Sequence, residues 1–314
     1  MAIKIQRQTA SASSASPPST LPYGELACDK TAVLYVGNSS NYPVKMMDTN
    51  SYNQVGNPNL GTNTNFSNPI NQRGAASYTG DRTSPHCIDR WRISNGTTYT
   101  VGTHTLSAAN YANRACGMWQ ANEMGAHQLS IGDDVTVSIY ANGQLHTAVM
   151  QILDRSLYSS FVDVPAEYTC DDFELVLCTY AGDGSKYNLG VYPKKALTIN
   201  YIKWEKDSVA TPYVPKGYGA ELAECLRYFQ RVYADLRTYP TLKDVPYRFS
   251  QSTLQVMRIK PTISACGTPY TFGCTIIALD AQPMAFTVET KITEQGQTSG
   301  AASMLGHFDL SADL

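Results

Sequence analysis

Charged residues are scarce in this sequence, and neither sign is in excess. They make up 16% of the 314 residues, whereas roughly 25% is typical of soluble proteins. The 24 lysines and arginines are balanced by 26 aspartates and glutamates, so the formal net charge is -2. A nucleic-acid-binding surface or a basic membrane-binding segment requires a clear excess of positive charge. We therefore expect no nucleic-acid partner and no membrane insertion.

Long hydrophobic runs and closely spaced cysteines are also missing. No stretch approaches the roughly 20 apolar residues of a membrane-spanning helix, and residues 1–6 lack the apolar segment of a signal peptide. None of the eight cysteines forms a CxxC pair, the spacing of zinc ribbons and thioredoxin-like sites. These absences predict synthesis in a cytoplasm, with free and buried thiols. A protein of this kind reaches the cell exterior by lysis or as part of a particle.

Catalytic motifs are missing as well. The sequence has no G-x-S-x-G elbow, no H-E-x-x-H zinc site and no glycine-rich phosphate loop before a helix. His86 and Cys87 are adjacent, and neighbours on a strand point to opposite faces. Carboxylate pairs of the type that cleave glycosidic bonds occur at Asp133 with Asp134, Asp171 with Asp172, and Asp183 with Glu205. The first two occupy turn-like positions, where aspartates cap their own backbone. We expect no enzyme activity.

What the sequence does contain is 21 tyrosines and many threonine, serine, asparagine and glycine residues. This composition favours strands and turns, and it predicts an all-β protein. Within 63–206, turn signals such as Asn142-Gly143 separate apolar segments. The predicted strands lie at 98–101, 104–106, 128–129, 135–141, 145–153, 159–164, 173–180 and 197–205. Short strands at this spacing predict a jelly-roll β-sandwich.

A stiff linker at 207–219 separates this sandwich from a C-terminal domain at 220–314. Pro212 and Pro215 exclude a helix in the linker because they lack backbone donors and favour extended conformations. Apolar residues then recur at helical spacing from Ala220 to Phe229. We predict one short helix, followed by strands near 247–249, 255–259, 261–263, 270–278, 284–291 and 307–310.

Residues 1–48 form a separate small unit, joined to the sandwich by a polar linker at 49–62. Its few predicted strands, near 3–5, 24–28 and 32–36, cannot enclose a core of their own. Identical copies around a symmetry axis are the simplest partners for such a unit. We therefore predict that residues 1–48 mediate trimerisation.

Three parts of the chain resemble, in the same order, tail-fibre and receptor-binding proteins of bacteriophages and prophages. The first is similar to the trimer-forming repeat of tropism-determinant proteins, through Ile5-Gln6-Arg7, Gly24-Glu25-Leu26, Asp29-Lys30-Thr31 and Leu34-Tyr35-Val36-Gly37. The second resembles carbohydrate-binding-like jelly rolls, through Ile70-Asn71-Gln72-Arg73-Gly74 and Asp89-Arg90-Trp91. The third resembles a joint of gut-prophage tail proteins, in which a K-L-E triplet precedes G-S-V-A-T-P-F/Y and a helix. Here Trp204 and Asp207 depart from that pattern.

The resemblance implies a function in adhesion. It predicts a homotrimer in the tail fibre or baseplate of a virion, in contact with other tail or baseplate proteins. Its ligand would be a bacterial cell-surface polysaccharide, bound without covalent chemistry. Two alternatives remain: a structural virion component, such as a head fibre or baseplate spacer, and a tail-associated glycan hydrolase.

Sugar recognition requires aromatic faces beside groups that form hydrogen bonds with hydroxyls. We predict two such groups of ligand-binding residues, both in loops: Tyr111, Arg114, Trp119 and Gln120 in one, and Tyr180, Asp183, Tyr187 and Asn188 in the other. Asp183, between Gly182 and Gly184, is also a candidate ligand for Ca²⁺, the one possible cofactor. Trp91 and Trp204 lie in predicted strands and are expected in the core.

Overall fold

The computed structural model describes most of the chain. The described residues are 5–7, 26–28, 34–37, 39–40, 43–47, 58–83, 85–111, 115–180, 183–238, 246–272, 274–293 and 302–312. Within them, strands dominate and two α-helices are short. The predicted all-β fold class is confirmed.

The N-terminal region contributes a four-stranded sheet. Its strands are β1 (Ile5–Arg7), β2 (Leu26–Cys28), β3 (Leu34–Gly37) and β4 (Pro43–Met47), in the spatial order β1-β2-β3-β4. β1 pairs with β2 in parallel, and the other pairs are antiparallel. The sequence predicted the first three strands approximately and missed β4. Trimerisation by this unit stays a prediction.

Residues 58–207 form two antiparallel sheets that face each other. The first contains β5 (Ser77–Thr79), β7 (Thr97–Thr100), β8 (Thr105–Ala108), β10 (Asp134–Ala141), β11 (Gln144–Gln151) and β15 (Leu197–Lys206), in the order β11-β10-β15-β8-β7-β5. The second contains β6 (Arg92–Ile93), β9 (Met118–Glu123), β12 (Tyr168–Thr169), β13 (Phe173–Tyr180) and β14 (Asp183–Pro193), in the order β12-β13-β14-β9-β6. This arrangement is the sandwich that the sequence predicted; its jelly-roll type stays a prediction.

Aromatic side chains fill the space between the two sheets. The ring centroids of Phe66 and Trp91 lie 5.2 Å apart, and those of Trp91 and Trp204 lie 6.1 Å apart at an edge-to-face angle. All three side chains are fully buried. The Trp91 indole N–H donates to the Asn63 carbonyl at 2.8 Å, so its polar atom is satisfied inside the core. The predicted core positions of Trp91 and Trp204 are confirmed.

A buried ion pair holds the linker against the sandwich. Lys203 and Glu205 lie two residues apart on β15, on the face opposite the core, and they are 3% and 0% exposed. The Lys203 ammonium lies 2.9 Å from the Glu205 carboxylate and donates to the Thr211 carbonyl at 3.0 Å. Glu205 in turn accepts from the Thr211 N–H at 2.8 Å and from its hydroxyl at 2.5 Å. Every charge removed from water therefore has partners, as a buried pair requires.

After the linker, the helix is shorter than predicted, and a strand begins where the helix was expected to end. The helix α2 (Tyr218–Leu226) ends before Phe229, which starts strand β16 (Phe229–Thr238). The Arg73 guanidinium lies 3.8 Å from the centre of the Phe229 ring, and that of Arg90 lies 3.6 Å from the Tyr228 ring. These cation–π contacts join the start of β16 to the sandwich.

The C-terminal region contains two three-stranded antiparallel sheets. One is β16-β21-β18, where β18 is Thr262–Phe272 and β21 is Ala302–Ser311; the other is β17-β20-β19, with β17 (Pro246–Ser252), β19 (Cys274–Gln282) and β20 (Ala285–Ile292). Phe286 and Phe308 pack between them, with ring centroids 6.4 Å apart. The prediction of a C-terminal β domain that opens with one short helix is confirmed.

Three predicted strands are wrong. Residues 128–129 follow a single helical turn, α1 (Met124–His127). Residues 159–164 contain a 3₁₀ turn, Phe161–Asp163, and residues 255–259 lie outside the strands. The sequence also missed β9 and β14, because their polar residues resemble loop composition more than alternating strands.

The cysteines from Cys87 to Cys274 are free thiols, and most of them are buried. Burial in apolar surroundings raises the pKa of the Cys87 and Cys178 thiols to about 12. Neither described helix is long and apolar enough to cross a membrane.

The buried ion pair gives a test of the fold. We expect Lys203→Met to lower the free energy of unfolding by about 3–5 kcal/mol, because it leaves the Glu205 carboxylate buried without its cation. The matched control is Lys260→Met, which removes a pair with Asp280 whose side chains are 60% and 61% exposed. That control should leave the free energy of unfolding nearly unchanged, because water screens an exposed pair. Urea denaturation measures both, and equal losses would contradict the role given to Lys203.

Candidate ligand-binding cleft

A cleft lies on the outer face of the five-stranded sheet, away from the core. Residues 153–166 connect β11 of the six-stranded sheet to β12 of the five-stranded sheet and lie against this outer face. The segment is tied to β13 by the Leu153 N–H, which donates to the Leu177 carbonyl at 3.1 Å, and by the Arg155 N–H, which donates to the Thr179 hydroxyl at 2.9 Å. An apolar cluster lies underneath it, formed by Val164, Val176, Cys178 and Tyr192 with Leu153, Tyr158, Phe161 and Ala166.

Short polar side chains shape this covering segment into two 3₁₀ turns. Asp154 caps the first, Arg155–Leu157, by accepting the Ser156 N–H at 2.9 Å. A reciprocal capping box between Ser160 and Asp163 begins the second, Phe161–Asp163. Such local hydrogen bonds compete with strand pairing, which explains why this segment forms turns and not a strand.

The cleft between the segment and the sheet has a volume of about 350 Å³. Aromatic side chains from three distant parts of the chain line it. The lining residues are Ser94, Ala115, Trp119, Arg155, Ser160, Phe161, Val162, Tyr180, Asn188 and Tyr192. A concave, mostly apolar site with a few polar groups is the usual form of a small-molecule site.

Two glycines determine where the floor of the cleft lies. Side chains at Gly117 and Gly190 would overlap the Tyr192 ring, which lies against the sheet backbone at both positions. Gly190 also pairs with Trp119 across the neighbouring strands. The absence of side chains there lets Tyr192 lie flat and leaves room above the sheet.

Two polar side chains in the cleft have unsatisfied atoms. Asn188 is only 7% exposed, and its Oδ1 atom is buried without a hydrogen-bond partner. The Nε of Arg155 is likewise buried without a partner, although its Nη1 donates to the Tyr158 carbonyl at 2.5 Å. Unsatisfied buried polar atoms are costly, so a ligand that satisfies them would gain affinity.

A second cleft of about 360 Å³ adjoins the first and shares Arg155 and Tyr180 with it. Its acidic residues are Asp154 and Asp183. Hydrogen bonding from Lys186, followed by that from Ser185, lowers the pKa of Asp183 to about 2. The Lys186 ammonium lies 2.8 Å from the Asp183 carboxylate, in the position that a bound cation would need. No group of three metal-ligating side chains is found among the described residues, and Ca²⁺ binding by Asp183 stays a prediction.

The structure brings three of the predicted ligand-binding residues together. Trp119, Tyr180 and Asn188 all line the first cleft, and Asp183 lines the adjoining one. Tyr111 is 37% exposed but does not line either cleft. Arg114 lies outside the described residues.

The prediction that Gln120 and Tyr187 bind the ligand is wrong, because both are fully buried on the opposite face of the sheet. The Gln120 amide bonds the backbone of Thr62, with its Nε2 donating to the Thr62 carbonyl at 2.6 Å. The Tyr187 hydroxyl bonds His127 Nδ1 at 2.6 Å and accepts from the Trp204 indole N–H at 3.2 Å. Successive residues of a strand point to opposite faces, so neither Trp119 and Gln120 nor Tyr187 and Asn188 can share a site.

Sequence reasoning missed Arg155 and Phe161 as cleft residues. The signal that was available is the spacing of Ser160 and Asp163, which matches an S-x-x-D capping motif. That motif predicts a helical turn in place of the strand at 159–164. The contact of this turn with the sheet is a long-range effect that local spacing does not reveal.

In each predicted carboxylate pair, at least one carboxylate forms hydrogen bonds or an ion pair within the protein. Asp172 accepts from Asn142 at 2.6 Å and forms an ion pair with Lys195, and Asp133 accepts from the Ser130 N–H at 2.9 Å. Glu205 is buried against Lys203. In the adjoining cleft, hydrogen bonds from Ser156 lower the pKa of Asp154, and hydrogen bonds from Lys186 and Ser185 lower that of Asp183.

Comparison with protein-family models, with curated proteins and with solved structures gives no match to this chain. A functional assignment therefore depends on the geometry of the cleft and on the resemblance of the sequence motifs.

The placement of Tyr187 can be tested by removing its hydroxyl. We expect Tyr187→Phe to lower the free energy of unfolding by about 1–3 kcal/mol, because the buried His127 and Trp204 groups lose their partner. The exposed Tyr111→Phe control should change it by less than about 0.5 kcal/mol. Thermal or urea denaturation gives the comparison. A Tyr187→Phe protein as stable as the control would show that the hydroxyl does not hold these groups.

Proposed function

We propose that this chain is a receptor-binding component of a bacteriophage or prophage tail, and that it binds a bacterial surface glycan in the aromatic cleft. The observation that carries this proposal is the cleft, where Trp119, Tyr180 and Phe161 surround the unsatisfied amide of Asn188. The sequence resemblance supports the phage context independently of the geometry.

The chemistry of the cleft suits a sugar ring. The C–H face of a sugar is apolar and packs on aromatic rings, while its hydroxyls need hydrogen-bond donors and acceptors. The cleft offers both kinds of surface: aromatic walls, and polar groups on Ser94, Ser160 and Asn188. Its volume of about 350 Å³ lies within the usual range for small-molecule sites.

A homotrimer would make such a site effective. Single sugar sites bind weakly, and joining several on one assembly raises the overall affinity by roughly 10²–10⁴ when they can engage together. The four-stranded N-terminal sheet supports this proposal because it is too small to enclose a core alone. The other partners would be tail or baseplate proteins of the virion.

A spacer role in the virion is the second candidate, and the joint between the sandwich and the C-terminal region favours it. Arg231 bonds the Arg73 carbonyl at 2.8 Å, and Gln72 donates to the Phe229 carbonyl at 2.9 Å. Arg258 and Glu123 form an ion pair across the same joint. A structural component would need such a connection and would not need the cleft.

Removing the aromatic walls separates these two roles. We expect Trp119→Ala and Tyr180→Ala each to reduce glycan binding by about tenfold or more, because stacked aromatic anchors dominate such sites. Tyr218→Ala is the matched control, since Tyr218 is 55% exposed at the start of α2 and lines neither cleft. A glycan array followed by calorimetry measures the change. Unaltered adsorption in both cleft variants would favour the spacer.

The trimer is tested by the native mass of the purified protein. Light scattering on a sizing column should give about three times the 34.3 kDa of one chain, because the N-terminal unit needs copies of itself to bury its apolar surface. Deleting residues 1–48 should return the mass to that of a monomer. A full-length protein that stays monomeric at high concentration would contradict the trimerising role.

A further inference from the structure

The Arg155 guanidinium offers an unused pair of donors to the cleft. Its Nη1 is fixed by the Tyr158 carbonyl, and its backbone N–H is fixed by Thr179. The Nε is buried without a partner, and no acceptor among the described residues bonds the Nη2. The edge formed by Nε and Nη2 is therefore unoccupied in a side chain that is anchored at both ends.

The same edge binds a carboxylate elsewhere in this protein. In Arg231, Nε and Nη2 donate to the two oxygens of Asp309 at 2.7 and 2.8 Å. In Arg237, they donate to the two oxygens of Asp235 at 3.0 and 3.2 Å. This parallel arrangement matches the planar guanidinium to a planar carboxylate, and it is among the stronger hydrogen-bonded pairs in proteins.

The acidic residues that the structure describes do not fill this edge. No carboxylate is among the described residues that line the aromatic cleft. The Asp163 carboxylate, which interacts electrostatically with Arg155, is occupied by the hydroxyls of Ser159 and Ser160. Asp154 is held by Ser156. The positive charge of Arg155 is thus half-buried beside aromatic rings, and no described carboxylate forms an ion pair with it.

We infer that the cleft recognises a sugar that carries a carboxylate, such as a hexuronic acid. Arg155 would bind the carboxylate through Nε and Nη2, Trp119 and Tyr180 would pack on the ring, and Asn188 would bond a hydroxyl. Because Nε lies below the surface, the guanidinium would have to rotate to present Nε and Nη2 together, and the two bonds to the carboxylate would replace the Nη1 contact with the Tyr158 carbonyl. This inference rests on the proposed glycan-binding function and names the class of its ligand.

The test compares sugars that differ at one carbon. Methyl glucuronide carries a carboxylate where methyl glucoside has a hydroxymethyl group, and glucose 6-phosphate carries a phosphate there. Titration of the full-length protein, followed by NMR or calorimetry, should show the glucuronide bound about tenfold more tightly than the glucoside. The difference should shrink as the salt concentration rises. Equal affinity for the phosphate would overturn the assignment to a carboxylate.

Variants of the cleft identify the responsible group. Arg155→Lys keeps the charge but loses the paired donors, and Arg155→Gln loses both; each should remove most of the preference for the acid. Asn188→Asp introduces a carboxylate into the same cleft and should also abolish it, without disturbing the Tyr158 contact of Arg155. Arg248→Gln is the matched control, because Arg248 is 72% exposed on the C-terminal sheet.

The outcomes separate this inference from the function on which it rests. Binding of neutral sugars that depends on Trp119 but shows no preference for acids would overturn the inference and leave the glycan site standing. Failure to bind either sugar class at millimolar concentration would overturn both. An acid preference that survives Arg155→Gln and Asn188→Asp would show that the carboxylate binds elsewhere.

Discussion

The contact among Lys203, Glu205 and Thr211 determines how the two larger parts of this protein are connected. A lysine and a glutamate two residues apart on one strand face the same side of the sheet, and here the linker covers both. Neither charge tolerates burial without the other, and the hydroxyl and backbone of Thr211 complete their hydrogen bonds. The linker is thereby fixed in an extended path along β15. Helix α2 follows the linker, and beyond its C-terminal end the cation–π contacts of Arg90 with Tyr228 and of Arg73 with Phe229 hold the start of β16 against the sandwich.

The candidate site depends on a different constraint, the pleat of the five-stranded sheet. One face supplies Tyr187, Leu189 and Val191 to the core, and the alternating positions of β14 face outward. Because Gly190 has no side chain, Tyr192 and the segment at 153–166 can pack directly on the outer face of the sheet. The cleft is the space that this cover leaves open. Its residues come from positions 94, 115–119, 155–162 and 180–192, and only long-range packing assembles them.

These two constraints explain how far the sequence alone could be read. Strands β10, β13 and β15 were predicted to within a residue or so, because their buried positions are filled by Val, Ile, Leu and Trp. Strand β14 was predicted as a loop because it begins with a turn signal and contains several polar residues. Its alternation of apolar and polar residues is too weak to indicate a strand. The aromatic and amide residues Trp119, Tyr180 and Asn188 were chosen for their chemistry, and all three line the cleft. Gln120 and Tyr187 were chosen by the same chemistry, and strand alternation places them on the other face. Arg155 was missed because what distinguishes it is a buried Nε without a hydrogen-bond partner, and residue spacing does not reveal hydrogen bonding.

The state of the cysteines has a consequence for chemical durability. A thiol is oxidised through its thiolate, and burial that raises the pKa to about 12 leaves almost no thiolate at neutral pH. Cys87 and Cys178 are therefore protected by the packing around them and need no reducing environment to remain intact. Unfolding of the sandwich would expose both side chains, so the resistance of these two thiols to oxidation lasts only as long as the packing around them does.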